Sequence, residues 1–246
     1  MNLRELLNII DLTAKENNLS KPYIVGGFPR DVYLKRLKTI SDVDITCGDE
    51  SSFKLGKLVL NKIQGATLTT FTDKHSKLKY DKFKVDFSSN FTVPGITNIL
   101  EKANINNPTS MQEELYSRDF TANSLLMPLD LSNILDETGL GINDIENKVL
   151  DTCLPPNLTF TYDPRRIIRV VYLIVKLKFS PSERVAEWIK LNGKMLQKVP
   201  LEYIKKKLNK GLEIDANNTL QVINSLDLMK YIPETKLLQK ALMETR

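Results

Sequence analysis

Cysteine is scarce in this sequence, and long apolar segments are missing from it. The two cysteines, Cys47 and Cys153, match no zinc-binding spacing and are too few for a disulfide framework, which favours a reducing, cytoplasmic location. No apolar run approaches the length that spans a bilayer, and the first residues read as an amphipathic helix rather than a signal peptide. We therefore expect neither a membrane protein nor a disulfide-stabilised secreted domain.

Basic residues are only modestly in excess of acidic ones. Lysine and arginine number 35 against 30 acidic residues, a formal net charge of +5. This excess permits a polyanionic partner, although a solvated basic surface is the simpler interpretation. The 41% hydrophobic and 26% charged residues are typical of a globular protein, and 246 residues suit one large domain or two small ones.

The first part of the chain mixes helical and strand patterns. The spacing of apolar residues predicts helices at 3–16 and 51–63, strands at 23–25 and 41–46, and a hairpin that joins 77–80 to 83–87. The stretch 92–111 is rich in Asn, Thr and Pro, and we predict a long loop or poor order there.

The later part of the chain changes character after a breaker cluster at 154–157. Beyond it no convincing strand appears, and helical spacing recurs at 163–178, 182–192, 202–212 and 217–226. We therefore predict an α/β (α+β) head domain with a small mixed sheet over 1–154, followed by an all-helical domain over 155–246.

A glycine pair follows the first predicted strand. Gly26 and Gly27 would let the backbone approach a phosphate and point N–H groups at it, and Arg30 would lie near the start of the next helix, where its guanidinium suits phosphate oxygens. The alternative is a plain strand-to-helix turn, because a glycine pair alone is a weak signal.

Two aspartates alternate along the second predicted strand. Asp42 and Asp44 should point to the same face, where a divalent cation would relieve their repulsion. Two Mg²⁺ ions about 3.5–4 Å apart can activate an attacking oxygen and stabilise a leaving one. Asp86, on the second arm of the hairpin and opposite in direction to its apolar neighbours, is a candidate third carboxylate. A solvent-facing strand with routine exposed aspartates is the alternative.

These motifs together resemble the class II tRNA nucleotidyltransferase and bacterial poly(A) polymerase family. The resemblance rests on the strings 25–31 and 42–44, then 118–124 and 134–144 in the same order, and covers roughly residues 20 to 235. It implies that Gly26, Gly27 and Arg30 hold a nucleoside triphosphate beside two Mg²⁺ ions. It also implies that Arg118, Asp119 and Asn123 position the nucleotide.

A segment in the helical part could read a nucleobase. Asp163 and Arg166 lie three residues apart, so they share a helix face and offer an acceptor beside a donor. The pairing edges of C and A match that order, whereas those of G and U reverse it. The alternative is a helix start capped by Asp163. The segment resembles the family's base-reading template, whose nucleotide-binding residues would include Arg169.

The chain also departs from the family pattern, in four residues and in length. Tyr162 replaces an acidic residue, whereas Ser117, Tyr172 and Phe91 stand where arginines are usual. Family members normally continue into helical body and tail domains that grip tRNA, so we expect either a minimal enzyme or RNA grip supplied by a partner protein or a second copy. A lysine cluster is a candidate RNA contact, with a solvated helix face as the alternative: Lys205, Lys206, Lys207 and Lys210.

The sequence therefore predicts a metal-dependent RNA nucleotidyltransferase that uses CTP and ATP to extend an RNA 3′ end, most simply the CCA end of tRNA. Asp42 and Asp44 would bind Mg²⁺, and Asp86 would help to activate the RNA 3′ hydroxyl. Three alternatives remain at this stage. They are a poly(A) polymerase, an enzyme that transfers a nucleotide to a protein, and a non-catalytic RNA-binding or scaffold subunit.

Overall fold

The computed structural model describes residues 1–36, 41–72, 74–88 and 92–244. The chain divides into two compact units, Met1–Ile142 and Asn143–Arg246. This division lies earlier than the boundary expected after residue 154. The reason is a short strand pair, because Val149–Leu150 pairs in parallel with Ser180–Pro181, and the intervening segment therefore belongs with the helices that follow it. Phe91, one of the departures from the family pattern, lies outside the described residues.

The first unit alternates helices and strands. Its elements, in chain order, are α1 (Leu3–Glu16), β1 (Tyr23–Val25), α2 (Gly27–Tyr33), β2 (Asp42–Thr46), α3 (Ser51–Leu60), β3 (Thr67–Thr70), β4 (Ser76–Tyr80), β5 (Phe83–Phe87), α4 (Ile96–Lys102), α5 (Ser110–Ser117) and β6 (Leu126–Pro128). A 3-10 turn at Thr121–Asn123 precedes β6, and α6 (Gly141–Glu146) contains the boundary between the units.

Six strands form one mixed sheet in the order β3-β4-β5-β2-β1-β6. Strands β2 and β5 are parallel, and the remaining neighbours are antiparallel. The predicted mixed-sheet head and the β4–β5 hairpin are confirmed. Helices α1 and α3 pack against one side of the sheet, where Leu7 and Leu55 join Val43 and Val85 in the core. The opposite side of β4, β5 and β2 is called the open face below.

The prediction of a long loop at 92–111 was wrong. Helix α4 occupies part of that stretch and buries Ile96 and Leu100, four residues apart on one helix face. Helix α5 begins at Ser110 after a capping box, in which Thr109 accepts from the Gln112 N–H and the Gln112 side chain accepts from the Thr109 N–H. The many polar residues of this stretch therefore cap helices as well as form turns.

The second unit is mainly helical. It contains β7 (Val149–Leu150), α7 (Pro156–Tyr162), α8 (Arg165–Leu177), β8 (Ser180–Pro181), α9 (Glu183–Asn192), α10 (Leu201–Ile214), α11 (Ala216–Ser225) and α12 (Lys236–Glu244), with 3-10 turns at Gly193–Lys198 and Met229–Tyr231. The four predicted helices are present. The β7–β8 pair was missed, because two-residue strands carry no readable alternation. Within the described ranges, no helix has the length and apolarity that crossing a bilayer requires.

Candidate active site in the head unit

Strand β2 places its two aspartates on the open face. Asp42 and Asp44 are exposed, whereas Val43 and Ile45 between and beyond them are fully buried. This arrangement follows from the two-residue period of a strand, since burying Val43 and Ile45 against α1 and α3 forces the aspartates outward. The predicted common face of the two carboxylates is therefore present.

Asp86 lies beside Asp44 on the neighbouring strand. The parallel register of β2 and β5 pairs Asp44 with Asp86 and Asp42 with Lys84. Asp86 Oδ1 is 2.9 Å from His75 Nε2 and 3.2 Å from Lys77 Nζ, so two basic side chains reduce the repulsion between the paired carboxylates.

The turn between β1 and α2 brings the backbone against these carboxylates. Gly26 has φ +81°, in the left-handed region that favours glycine. A Cβ at this position would lie 2.9 Å from Asp44 Oδ2 and 3.8 Å from Arg118 Nη1. At Gly27 a Cβ would make a tight contact, because it would lie 3.0 Å from Arg30 Nη2. The glycine pair therefore gives room to the site's own charged side chains.

Arg30 is buried within a polar network. Its side chain is 3% exposed, and its Nη2 lies 2.7 Å from Asp31 Oδ1. Its Nη1 donates to Asn123 Oδ1, and Asn123 Nδ2 donates to Asp119 Oδ1 over 3.0 Å. Three residues predicted to bind nucleotide (Arg30, Asp119 and Asn123) are thus joined into one chain of hydrogen bonds. This burial favours Arg30 as a residue that positions Asn123.

Arg118 is held by an acid that the sequence reasoning missed. Glu114 is fully buried, and its Oε1 accepts from Arg118 Nη2 over 2.6 Å. Its Oε2 accepts from the Thr46 hydroxyl at the end of β2. The i,i+4 spacing of Glu114 and Arg118 on a helix was a readable signal for this pair. Ser117, where the family has an arginine, is buried and accepts from the Val93 N–H.

The donor set fits a magnesium ion that is completed by substrate. Among the described residues, no group of three or more His, Cys, Asp or Glu side chains is arranged to hold a metal ion. Mg²⁺ is commonly bound by one or two carboxylates together with substrate phosphates and water, which is the set that Asp42 and Asp44 would offer.

In the second unit, Asp163 is bound by a neighbouring arginine. Arg165 Nε and Nη2 donate to its two carboxylate oxygens over 2.7 and 3.0 Å, and the Arg165 backbone N–H donates to Oδ1 over 3.1 Å. These hydrogen bonds raise the pKa of Arg165 above its ordinary value. Arg166 is buried, with its guanidinium 5.6 Å from the Tyr162 ring centre, and Arg169 is half-buried.

The lysine cluster of α10 does not form one surface. Successive helix residues point about 100° apart, so three consecutive lysines face three directions. Lys205 pairs with Glu202 over 2.9 Å, Lys206 and Lys210 are exposed, and Lys207 lies over two tyrosine rings. Lys206 and Lys210, four residues apart, therefore share an exposed face, whereas Lys205 and Lys207 each have a different environment.

Comparison with known proteins decides the family. Residues 22–151, more than half of the chain, match the family model described as the poly A polymerase head domain. The chain belongs to this family. The resemblance predicted from the motifs is therefore confirmed for the poly(A) polymerase head-domain family, and the matched region contains every candidate residue of the open face.

Relatives of this poly(A) polymerase head-domain protein include tRNA enzymes. It is 26% identical over 216 residues to a CCA-adding enzyme of Lactobacillus helveticus, which covers 86% of this chain and 51% of that enzyme. It is 28% identical over 190 residues to an A-adding tRNA nucleotidyltransferase of Aquifex aeolicus, covering 73% of this chain and 22% of that one. The chain thus spans about half the length, or less, of these curated relatives.

A solved structure supports the same fold. A tRNA-processing enzyme determined with CTP superposes with a TM-score of 0.72 at 26% identity, over 92% of this chain and 58% of the other. The predicted fold class, a mixed α/β head followed by helices, is therefore confirmed.

Proposed function

We propose that this chain is a metal-dependent, template-independent nucleotidyltransferase that adds C, A or both to an RNA 3′ end, most simply in synthesis or repair of the tRNA CCA end. The observation that carries the proposal is the open face of the sheet. There Asp42 and Asp44 share one side of β2, and Asp86 of the neighbouring strand β5 pairs with Asp44. Membership of the poly(A) polymerase head-domain family supports this chemistry over the alternative, a solvent-facing strand with routine exposed aspartates.

The proposed roles in the first unit follow from the geometry of its open face. Asp42 and Asp44 would hold Mg²⁺, which when bound supplies charge to activate the attacking oxygen and stabilise the leaving pyrophosphate. Asp86, held by His75 and Lys77, would accept the proton or orient the RNA 3′ hydroxyl.

The triphosphate would lie against the β1–α2 turn. Gly26 and Gly27 would bring backbone N–H groups to it, and Arg118 would add a guanidinium fixed in direction by Glu114. Arg30 and Asp119 would act largely through Asn123, which they hold in place. A preorganised set of donors of this kind stabilises developing charge without reorganisation during the reaction.

The proposed base-reading residues lie in the second unit. Asp163 and Arg166, with Arg169 beside them on α8, would select C and A by the order of acceptor and donor. Arg165 donates to both Asp163 oxygens, so a base amine would share that carboxylate with Arg165 or displace it. RNA would be gripped by lysines of α10, including Lys205, Lys206, Lys207 and Lys210, and a partner protein or a second copy would supply further grip.

Addition of A alone is the second candidate, because one of the relatives is an A-adding enzyme. A cytoplasmic location agrees with either activity and stays a prediction. One assay separates the two: extension of a labelled tRNA that ends at the discriminator base, with Mg²⁺ and each NTP singly, then with CTP and ATP together. Ordered addition of C, C and A supports CCA synthesis, whereas addition of A alone, as a single residue or as a ladder, supports the second candidate.

Asp42→Ala is the control variant, and it should abolish either product. If the purified chain extends no RNA, the activity proposed for this chain alone is wrong. A labelled protein band without extended RNA would indicate transfer to protein instead. RNA binding that is unchanged by Asp42→Ala, without extension by either form, would support a non-catalytic subunit.

A further inference from the structure

One stripe of helix α8 reaches the surface although most of the helix is buried. The stripe consists of Arg165, Arg169, Tyr172 and Lys176, which are exposed or half-buried and are spaced by four, three and four residues. The residues between them are buried in the second unit. Helix α10 packs alongside α8, and Tyr203 of α10 lies next to the stripe.

Cations and aromatic rings alternate where these two helices meet. Arg165 Cζ lies 6.0 Å from the ring centre of Tyr203, and Lys207 Nζ lies 5.7 Å from that same ring and 5.2 Å from the ring of Tyr172. The order is therefore Arg165, Tyr203, Lys207, Tyr172, which we call the cation–ring array. Each ring attracts its cations through its negative face and restricts their motion.

Lys207 supplies the positive charge of the array on the side of Tyr172. Arg165 supplies the second cation, and Asp163 already pairs with it. An anion near the two rings is therefore attracted mainly by Lys207.

We infer that the cation–ring array binds the backbone of single-stranded RNA, and this inference rests on the proposed function of the chain. Lys207 and Arg165 contact phosphates, and the accessible parts of Tyr172 and Tyr203 contact bases or riboses. Alternating cations and aromatic rings suit this ligand because every nucleotide offers both a phosphate and a stacking surface. Their restricted motion lowers the entropy lost on binding.

The test measures RNA affinity in the absence of nucleotide. Binding of a short fluorescein-labelled single-stranded RNA to the whole chain is followed by anisotropy over a series of NaCl concentrations. Lys207→Met should weaken binding and lower the slope of log K against log salt by about 0.7, the value for one phosphate contact on a single strand. Lys207→Arg, which keeps a cation over the rings, should retain most of the affinity.

Variants of the Tyr203 ring distinguish an effect of the array from an effect of net charge alone. Tyr203→Phe keeps the ring and should bind like the wild type, whereas Tyr203→Leu should weaken binding by roughly 5-fold or more. Lys190→Met is the matched control, because it removes one charge from an exposed lysine of α9 and should leave the salt slope unchanged. If Tyr203→Leu does not fold, the comparison of Lys207→Met with Lys207→Arg and Lys190→Met decides the matter.

Wild-type affinity and salt slope in Lys207→Met would overturn the inference, because the array would then serve only the packing of α8 against α10. Equal weakening by Lys207→Met and Lys190→Met would overturn it as well, since only net charge would matter. The proposed activity is tested separately by primer extension. RNA binding that depends on Lys207 and the Tyr203 ring, in a chain that extends no RNA, would contradict the proposed activity and leave the inference standing.

Discussion

Asp44 and Asp86 occupy directly paired positions on the adjacent parallel strands β2 and β5. Strands in a sheet lie about 4.8 Å apart, so both carboxylates fall within the range of strong mutual repulsion. The fold places Lys77 and His75 against Asp86, which offsets part of that cost. The cation that is proposed to bind here would offset the remainder.

The first prediction concerns this pair. Asp44→Asn should lower the rate of RNA extension by at least about 10²–10³-fold, the loss typical of removing one electrostatic contact to a transition state. The free energy of unfolding should stay the same or rise by about 0.2–1 kcal/mol, because cross-strand repulsion disappears. Primer-extension rates and urea unfolding measure the two effects.

Asp81→Asn is the control for that substitution. Asp81 lies in the β4–β5 turn at φ +51°, a conformation that asparagine adopts readily, so neither activity nor stability should change. Full activity in Asp44→Asn would show that the open face is not the catalytic centre.

The second prediction compares two glycines with the same backbone φ angle. Gly26 and Gly65 both have φ +81°, but a Cβ at residue 65 meets no atom within 4 Å, whereas one at residue 26 meets Asp44 Oδ2 at 2.9 Å. Alanine should cost each position at least about 1–2 kcal/mol of stability, because a Cβ is strained at a positive φ. Only Gly26→Ala should also lose activity, because its methyl group displaces Asp44.

Thermal unfolding and extension rates measure the two parts of that comparison. Equal activity in Gly26→Ala and Gly65→Ala would mean that the close approach of the turn to Asp44 has no catalytic role.

The third prediction concerns the buried acid that holds Arg118. Glu114→Gln removes the buried charge that pairs with Arg118, and it should cost roughly 3 kcal/mol, the lower end for a broken buried pair, because Gln still accepts one hydrogen bond. The KM for the nucleotide should rise, since Arg118 loses its fixed direction. Urea unfolding and steady-state kinetics measure these effects.

Glu113→Gln, one residue earlier, is the matched control. Glu113 accepts an exposed hydrogen bond from the Thr97 hydroxyl, so its loss should change stability by less than about 0.5 kcal/mol. A Glu114→Gln variant with wild-type KM would show that Arg118 does not depend on this acid.

Much of the head could be read from the sequence because its strands carry clear alternation. Val43 and Ile45 alternate with Asp42 and Asp44, and one buried face fixes the direction of all four side chains. The pairing of Asp44 with Asp86 could not be read in the same way. Register between strands that are distant in sequence depends on tertiary packing, which local patterns do not contain.

The contacts of charged side chains were the least readable part of the site. The sequence placed Asp163 beside Arg166 by helical spacing, but the helix begins at Arg165, and Arg165 binds both oxygens of Asp163. Likewise, Lys207 looked equivalent to Lys206 in the sequence, and only the position of α10 against α8 distinguishes them. Such choices are decided by which neighbours a fold supplies.

The last prediction uses two aspartates with nearly the same surroundings. Asp163 holds Arg165 and is 20% exposed, and Asp151 holds Arg184 and is 18% exposed. Asparagine at either position should cost at most about 1 kcal/mol, because each ion pair reaches the surface. Only Asp163→Asn should change base choice. An amide offers both a donor and an acceptor, so the order that favours C and A is lost, and discrimination against G and U should fall by at least about 10²-fold.

Competition between labelled NTPs in the extension assay measures this ratio. Unchanged selectivity in Asp163→Asn would show that Asp163 does not read the base. An equal loss in Asp151→Asn would show the same, because the substitution would then act only through the arginine that each aspartate holds.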